Sequence, residues 1–230
     1  MRNAMPDRKQ MLREIEREAA YTRTMTGRGA FSPAVMEAME VVPRERFVPE
    51  DARHQAFYNG PLPIGHGQTI SQPYIVALMT DLLDLQPDDE ILEVGTGSGY
   101  QAAVLSRLVR QVNTMEIIEP LLTRAADNLS NLGYTNVVCR VGDGNHGWPE
   151  KASFDGIIVT AAAPSIPHAL IDQLKPGARM VIPVGLPYHH QELMLLEKDE
   201  AGEVSTRDVL GVIFVPLTGD SVSARGGESQ

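Results

Sequence analysis

The first part of the chain shows apolar residues at helical spacing, interrupted by glycine and proline. Over Asp7–Ala20 the apolar positions recur every three or four residues among charged ones, which predicts an amphipathic helix. Gly27 and Gly29 end this helix. The dipeptide Ser32-Pro33 begins another, because serine caps free amides and proline is tolerated in the first turn. A further apolar stripe predicts a helix over Pro73–Leu85.

The segment Val42–Pro73 has a different pattern, rich in proline and glycine. It is too irregular to predict regular secondary structure and too apolar for a solvated linker. A long ordered loop within a compact domain is uncommon and usually serves a function. We therefore expect this loop to pack over the rest of the protein and to contribute to a site.

From Glu90 onward, short apolar runs alternate with helical patterns. Such alternation predicts an α/β fold, a doubly wound and mostly parallel sheet covered by helices on both faces. Two final runs, Glu192–Glu197 and Val209–Val215, are separated by the polar turn Asp199–Ser205 and predict an antiparallel C-terminal hairpin. The earlier helices form an N-terminal extension. The other expected strands are Ile91–Val94, Val112–Ile117, Val137–Val141, Gly156–Thr160 and Arg179–Val184, and the expected helices are Tyr100–Arg110, Pro120–Leu132 and Ile166–Leu174.

Composition limits the partners of this fold. The formal net charge of −10 disfavours nucleic acid, because phosphate binding needs a basic face. The single cysteine, Cys139, cannot form an internal disulfide, and its apolar neighbours predict a buried, inert thiol. The N-terminus lacks the apolar core of a signal peptide, and no segment approaches the roughly 20 apolar residues of a membrane span. We expect a soluble cytoplasmic monomer with no nucleic-acid or membrane partner.

A glycine-rich turn follows the first strand of the alternating region. The segment Glu93–Tyr100 (EVGTGSGY) lies where this strand meets its helix. Glycines let the backbone approach a ligand there, and the helix N-terminus offers free amides. Ligands of open parallel sheets bind at the carboxyl ends of the strands. Because Gly97-x-Gly99-x-x-Ala102 also satisfies the loose dinucleotide pattern, the turn alone leaves two classes of cofactor open.

Charge distinguishes between these cofactors. Glu93, Glu116 and Asp143 end three successive predicted strands. An acidic rim disfavours the pyrophosphate of a dinucleotide and suits S-adenosylmethionine, which carries a sulfonium and an ammonium. Glu116 lies one strand-helix-strand step beyond the glycines, where an acid accepts both ribose hydroxyls. Asp143 can accept from the adenine amino group or fix the loop that does. The alternative of three ordinary strand-end charges is less favoured because all three occupy matched positions.

Three segments of the chain resemble those of protein-L-isoaspartate O-methyltransferases, and the resemblance runs from about Met11 to Gly219. They are Pro61–Tyr74, Ile91–Gln101 and Val212–Thr218. The block Gly-Gln-Thr-Ile-Ser-Gln-Pro in the first is specific to this family, whereas the glycine turn is shared by many methyltransferases. The departures are mild: Asn145-His146 in the loop after Asp143, and a short polar tail past Asp220.

The resemblance implies a Rossmann-like class I methyltransferase with three parts. Residues 1–85 would form the N-terminal helices and substrate-site loop, packed on the core. Residues 86–220 would form the S-adenosylmethionine-binding core, and residues 221–230 a disordered tail. In the implied reaction, an isoaspartyl carboxylate of a damaged protein or peptide attacks the methyl group in line, and S-adenosylhomocysteine leaves. The ester then collapses outside the enzyme to a succinimide that partly hydrolyses to aspartate.

The resemblance also implies roles for individual residues. Ser71 is matched to the active-site serine of the family, and Ser71 and Val215 are expected to border the isoaspartyl pocket. Residues of the Pro/Gly loop are expected to form the wall between cofactor and substrate. Together with the glycine-turn argument, the expected cofactor-binding set is Gln68, Thr69, Ile70, Glu93, Gly95, Thr96, Gly97, Ser98, Gly99, Glu116, Ile117, Asp143, Gly144 and Thr218.

Several candidate residues have simpler interpretations. Ser71 precedes Pro73 as a helix-capping serine would. His66 could act as a general base, but a carboxylate with a pKa of about 4 is already ionised at neutral pH and needs none, so a role in loop hydrogen bonding is favoured. The pair His189-His190 is interpreted as a solvated turn, and no metal site is expected. Asn59-Gly60 is the kind of dipeptide that forms isoaspartate, which raises the question of self-methylation.

Two other functions remain open at this stage. A methyltransferase could act on another acceptor, such as a small carboxylic acid or RNA, although the acidic balance disfavours RNA. The chain could also be a cofactor-binding regulator without activity, although Ser71 and the intact loop argue against that. Methyl transfer to matched isoaspartyl, aspartyl and asparaginyl peptides distinguishes these functions.

Overall fold

A computed structural model describes residues 5–151, 153–187 and 189–219. The tail expected at residues 221–230 lies outside the described residues. The helices are α1 Arg8–Thr26, α2 Pro33–Val41, α3 Pro73–Leu82, α4 Tyr100–Ser106, α5 Glu119–Asn131 and α6 His168–Asp172. The strands are β1 Leu62–Gly65, β2 Gln68–Ile70, β3 Glu90–Val94, β4 Gln111–Glu116, β5 Val137–Val141, β6 Phe154–Val159, β7 Leu174–Gly185, β8 Gln191–Lys198 and β9 Val204–Val212.

Seven strands form one sheet in the order β5-β4-β3-β6-β7-β8-β9. Strands β3 to β7 pair in parallel, and β8 pairs antiparallel with both β7 and β9. The predicted α/β fold, with a mostly parallel sheet and an antiparallel C-terminal strand pair, is therefore confirmed. The chain winds outward from β3 to β5 and then returns to place β6 on the other side of β3. This reversal makes the carboxyl end of β3 the place where a ligand site is expected.

Successive residues of a strand point to opposite faces of the sheet. Both faces of this sheet carry apolar side chains, and helices cover both. Ile91 belongs to a hydrophobic cluster that also contains Ile15 of α1, Leu78 of α3 and Val104 of α4. Its neighbour Leu92 belongs to the second cluster, which α6 joins from the other face. The N-terminal helices thus share a core with the sheet.

The N-terminal region departs from the sequence prediction in two places. Helix α1 continues past Ala20 to Thr26, where Gly27 ends it in the left-handed conformation and donates its N–H to Arg23 O. The prediction that Val42–Pro73 lacks regular structure is wrong, because β1 and β2 form an antiparallel hairpin there. These strands are short and β1 contains a proline, so neither gives a clear alternating pattern.

Several boundaries in the core also differ. Strand β7 begins at Leu174 rather than Arg179, and α6 is shorter than Ile166–Leu174. Strand β9 ends at Val212, because the following segment leaves the sheet and Phe214 instead donates its N–H to the side chain of Gln191.

Cys139 is half-buried rather than buried, because β5 is the edge strand of the sheet. Burial, reinforced by the charge of Glu93, raises the pKa of the Cys139 thiol to about 11. The thiol is therefore protonated at neutral pH and is a poor nucleophile, as the sequence predicts. Among the described residues, no helix combines the length and apolar character needed to cross a bilayer.

Candidate active site

The glycine turn after β3 has a backbone that side chains would obstruct. Gly95, Gly97 and Gly99 have φ values of 98°, 53° and 86°, in the left-handed region that favours glycine. A Cβ atom on Gly95 would also collide with the hydroxyl of Thr160. The N–H groups of Gly95 and Thr96 both donate to Met115 O, at 2.8 and 3.1 Å, which ties the turn to β4.

Glu116 holds this turn against the end of β4. Its Oε2 accepts the N–H of Gly97 at 2.9 Å, and its Oε1 accepts the N–H of Ile118 at 3.0 Å. The side chain is almost fully buried, so these bonds form in a largely water-free environment. Each carboxylate oxygen retains a further lone pair, which leaves Glu116 able to accept hydrogen bonds from a ligand.

Glu93 is a fully buried carboxyl group with an unusual environment. Neither of its oxygens has a hydrogen-bond partner among the described residues. Burial, with a further contribution from the negative charge of Glu116, outweighs the opposing effect of the neighbouring Thr114 hydroxyl and raises the pKa of Glu93 to about 8. A buried carboxyl group without a partner is unfavourable unless a ligand completes it. Because Glu93 lines the cleft beside the glycine turn, a cationic ligand group is the partner that it suits.

The Pro/Gly loop places Ser71 between β2 and α3. Gln72 precedes the first residue of α3 and no side chain caps the helix, so the interpretation of Ser71 as an N-cap is wrong. The main-chain oxygen of Ser71 accepts a hydrogen bond from Arg44 Nη2 at 2.9 Å. Among the described residues, the Ser71 hydroxyl makes no hydrogen bond, and Ser71 lines the cleft. This hydroxyl is therefore available to a bound molecule.

A cleft of about 720 Å³, including its opening to solvent, joins these parts. Most of the predicted site residues line it. They are Gln68, Thr69, Ile70, Ser71, Glu93, Gly95, Thr96, Gly97, Ser98, Glu116, Ile117, Gly144, Val215 and Thr218.

Two predicted residues do not line this cleft. Gly99 is the N-cap of α4, where its positive φ turns the chain into the helix. The Oδ1 atom of Asp143 accepts from the N–H and the side-chain amide of Asn145, both at 2.8 Å. Of the two roles considered for Asp143, this geometry corresponds to fixing the loop.

Other residues of the cleft were not predicted. Thr160 lies at the end of β6 and donates its hydroxyl to Val94 O and Gly95 O, at 3.1 and 2.6 Å. Its place at the carboxyl end of a predicted parallel strand could have identified it. The remaining ones are mostly apolar and gave no chemical signal: Val76, Val94, Tyr100, Gln101, Met115, Ile118, Ala161, Gly142, Pro216 and Leu217.

A second groove opens beside the cleft and is larger, about 1550 Å³ with its solvent-exposed mouth. It runs between α1, the start of α3 and the segment that follows β9. Thr69, Ser71, Thr160 and Val215 line both spaces. Ser71 and Val215, the residues expected to border a substrate, thus stand where the cleft and the groove meet.

None of the three histidines singled out in the sequence lines the cleft. His66 lies in the β1–β2 turn with a φ of 54°, lines neither space, and its carbonyl accepts from Gln68 Nε2 at 3.5 Å. His189 and His190 are exposed, and His190 pairs with Glu192. Within the described ranges, no three His, Cys, Asp or Glu side chains converge on a point that could hold a metal ion.

Sequence comparison finds a family model and curated relatives that match most of this chain. A model of the protein-L-isoaspartate(D-aspartate) O-methyltransferase (PCMT) family matches residues 12–222. A curated relative from Syntrophobacter fumaroxidans, protein-L-isoaspartate O-methyltransferase 2, is 60% identical over 92% of this chain and 86% of its own length. Another of the same name from Nitrosococcus oceani is 60% identical over 94% of this chain and 98% of its own.

Solved structures show the same fold. A protein-L-isoaspartate O-methyltransferase superposes with a TM-score of 0.78 at 26% identity. The superposition covers 93% of this chain and 66% of that longer chain. A PCMT from Plasmodium falciparum, in complex with S-adenosyl-L-homocysteine, superposes with a TM-score of 0.76 at 23% identity, over 93% of this chain and 99% of its own.

Proposed function

The chain belongs to the protein-L-isoaspartate(D-aspartate) O-methyltransferase family, and from this premise we propose that the cleft and the groove are its cofactor and substrate sites. The enzyme transfers a methyl group from S-adenosylmethionine to the carboxylate of L-isoaspartyl residues. The observation that carries the site assignment is the meeting of the two spaces at Ser71. A methyl donor in the cleft and a carboxylate in the groove would face each other there.

The residues of the cleft suit the donor. S-adenosylmethionine, when bound, supplies an electrophilic methyl group on a sulfonium. Glu93 offers a buried carboxyl group without a partner, which an ammonium group would complete. Glu116 offers lone pairs for the ribose hydroxyls from a position fixed by Gly97 and Ile118. The glycine turn holds a left-handed backbone that other residues rarely adopt, and Gly95 and Gly97 of this turn line the space that the donor would fill.

The acceptor side requires orientation rather than proton removal. A free carboxylate is ionised at neutral pH, so the site needs no general base. The Ser71 hydroxyl can donate one hydrogen bond to a carboxylate and so fix one oxygen while the other faces the methyl group. Holding two reactants in line can contribute up to roughly 7–11 kcal/mol. Ser71 would act as a positioning group and form no covalent bond.

The wider role follows from this chemistry. The methyl ester of an isoaspartyl residue would close to a succinimide outside the enzyme and partly reopen to aspartate, which begins repair. We also propose that the protein is a cytoplasmic monomer that works without nucleic acid, and the acidic composition supports the last of these points. We also propose that residues 1–85 form the N-terminal part that carries the substrate-site loop, and that residues 86–220 form the cofactor-binding core.

Matched peptides test this function. We expect methyl transfer to an L-isoaspartyl peptide and none above background to its aspartyl and asparaginyl forms. Equal rates on the aspartyl form would assign the site to another carboxylate. Cofactor binding by calorimetry without turnover on any isoaspartyl peptide would instead favour a regulator.

A further inference from the structure

The groove beside the cleft contains a single carboxylate. Among the described residues that line it, Glu18 of α1 is the one acidic residue, and none is lysine or arginine. The other lining residues are polar, aromatic or aliphatic, with His189 and His190 at one part of the wall. An acid in a groove without basic residues gives that groove a negative potential.

The negative charge of Glu18 has no cationic partner in the described residues. Its carboxylate accepts from Asn59 Nδ2 at 2.8 Å and from Gln72 Nε2 at 3.0 and 3.2 Å. These amides are neutral donors, so they fix the carboxylate without neutralising it. The nearby arginine of the same helix, Arg17, pairs instead with Glu14. Burial raises the pKa of Glu18, and the hydrogen bonds from Asn59 and Gln72 oppose that rise. Glu18 is therefore a half-buried carboxyl group that is held in one position and has no cationic partner among the described residues.

The position of Glu18 is tied to the reacting end of the groove. Gln72, which donates to Glu18, directly follows Ser71 in the chain. Asn59, the other donor, accepts the N–H of Tyr74 through its Oδ1 at 3.0 Å. Glu18 is therefore joined through two amide side chains to the segment that carries Ser71 and begins α3, and it lines the same groove as Ser71.

The mouth of the groove presents apolar side chains to solvent. Tyr21 is 83% exposed, Met25 is 51% exposed and Ile213 is 94% exposed. All three line the groove. Large apolar side chains that converge on one exposed groove indicate a binding surface for a polypeptide.

We propose that this groove binds the chain flanking the isoaspartyl residue, and that Glu18 selects substrates with lysine or arginine within two residues of it. The inference rests on the proposed function, because it takes Ser71 as the acceptor end. The basic side chain would lie along the apolar wall and place its charge at Glu18. A neutral side chain at the same position would leave the negative charge of Glu18 without a partner. An acidic side chain there would be repelled by Glu18.

Peptide pairs test this selection. Isoaspartyl peptides carry either lysine or glutamine at each of the two positions on either side of the isoaspartate. At low ionic strength we expect lysine at one or more positions to raise kcat/KM by about two- to fivefold, mainly through KM. The gain should shrink as salt is added, since salt screens partly exposed charges.

Variants of α1 test whether Glu18 causes the preference for lysine. Glu18→Gln should bring kcat/KM for the lysine and glutamine peptides to the same value, and the readout is this ratio rather than either rate alone. Glu16→Gln is the matched control, because Glu16 lies on the same helix but is exposed and does not line the groove. This control should keep the gain. Glu18→Lys should reverse the preference, so that a peptide with glutamate at that position is favoured.

The results distinguish a failure of the Glu18 proposal from a failure of the proposed function. Equal kcat/KM for lysine and glutamine peptides at all positions in the wild type overturns the role of Glu18. So does a lysine gain that persists in Glu18→Gln, or a loss that affects both peptides equally, which would show that Glu18 only supports the loop. Failure of the wild type to methylate any isoaspartyl peptide overturns the proposed function itself.

Discussion

Arg44 donates a hydrogen bond from Nη2 to the main-chain oxygen of Ser71, at 2.9 Å, from a position without solvent exposure. The same guanidinium donates to Ala56 O at 2.9 Å and Gly60 O at 3.5 Å, and it stacks 4.8 Å from the ring centroid of Tyr100. Burial lowers the pKa of Arg44 to about 10, so it stays charged at neutral pH. One buried cation thus joins three loop carbonyls to the first residue of α4.

Replacing Arg44 by lysine should loosen the loop that carries Ser71. An ammonium cannot reproduce the planar fork of donors, so at least one buried carbonyl would lose its partner. We expect a loss of roughly 2–4 kcal/mol in the free energy of unfolding and a fall in kcat for the isoaspartyl peptide. Denaturant unfolding and peptide kinetics measure both. Arg46→Lys, two residues away and exposed, should change neither.

Ser71→Ala should separate substrate positioning from stability. The hydroxyl makes no hydrogen bond among the described residues and caps no helix, so unfolding should change by less than about 1 kcal/mol. The value of kcat/KM for peptide should fall roughly ten- to hundredfold, because the acceptor carboxylate loses an orienting donor. Calorimetry should give an unchanged cofactor affinity. A collapse of that affinity, with normal kinetics at saturating cofactor, would make Ser71 a cofactor ligand instead.

Ser32→Ala is the matched control for that substitution. Ser32 is a real N-cap, and its Oγ accepts the N–H of Val35 at 3.3 Å at the start of α2. Its loss should destabilise the protein by about 1 kcal/mol while the peptide kinetics stay normal. The two serines should therefore show opposite patterns of stability and activity.

Glu93→Gln should change how stability depends on pH. The folded carboxyl group stays protonated up to a pKa of about 8, whereas its ordinary value is 4.5. Between these values the unfolded state binds fewer protons, so Glu93 makes the cofactor-free protein less stable as pH rises through this window. Glutamine does not titrate. As the pH rises from about 5 to about 8.5, the melting temperature of the wild type should therefore fall relative to that of the variant.

The Glu93→Gln variant should also bind S-adenosylmethionine more weakly, because a neutral amide replaces the carboxyl group with which the ammonium of the cofactor would pair. Melting curves with and without S-adenosylmethionine measure this as a smaller ligand-induced shift. A pH-independent difference in melting temperature would show that Glu93 is ionised in the folded protein.

Hydrophobic periodicity predicted the core of this fold because each strand and helix there is long enough to show its own repeat. The alternation of apolar runs placed β3 and the glycine turn, and topology then brought Glu93 and Glu116 together at the strand ends. The β1–β2 hairpin was missed because its strands span only four and three residues.

Side-chain contacts between distant segments could not be predicted in this way. Arg44 lies in the charged run Arg44–Arg46, which resembles a solvated turn, and its burial depends on carbonyls 12 to 27 residues away. Glu18 is separated from its partners by 41 and 54 residues. Asn59 was noted as a site of isoaspartate formation, yet its side chain is held by Glu18 and Tyr74. Self-methylation stays an untested prediction.

Glu116→Gln tests the cofactor site at its most constrained residue. Both oxygens of Glu116 accept main-chain N–H groups, from Gly97 and Ile118. A glutamine can match only one of these donors, since its NH₂ group would face the other. We expect the dissociation constant for S-adenosylmethionine to rise roughly ten- to hundredfold, because bonds to a charged acceptor contribute about 1.5–3 kcal/mol each. The melting temperature should fall modestly, and peptide KM at saturating cofactor should move little. Calorimetry and thermal unfolding measure these effects in parallel.

Glu119→Gln, at the exposed start of α5, is the control and should leave the affinity unchanged. Unchanged affinity in Glu116→Gln with a normal melt would remove Glu116 from the cofactor site, and with it much of the charge argument against a dinucleotide.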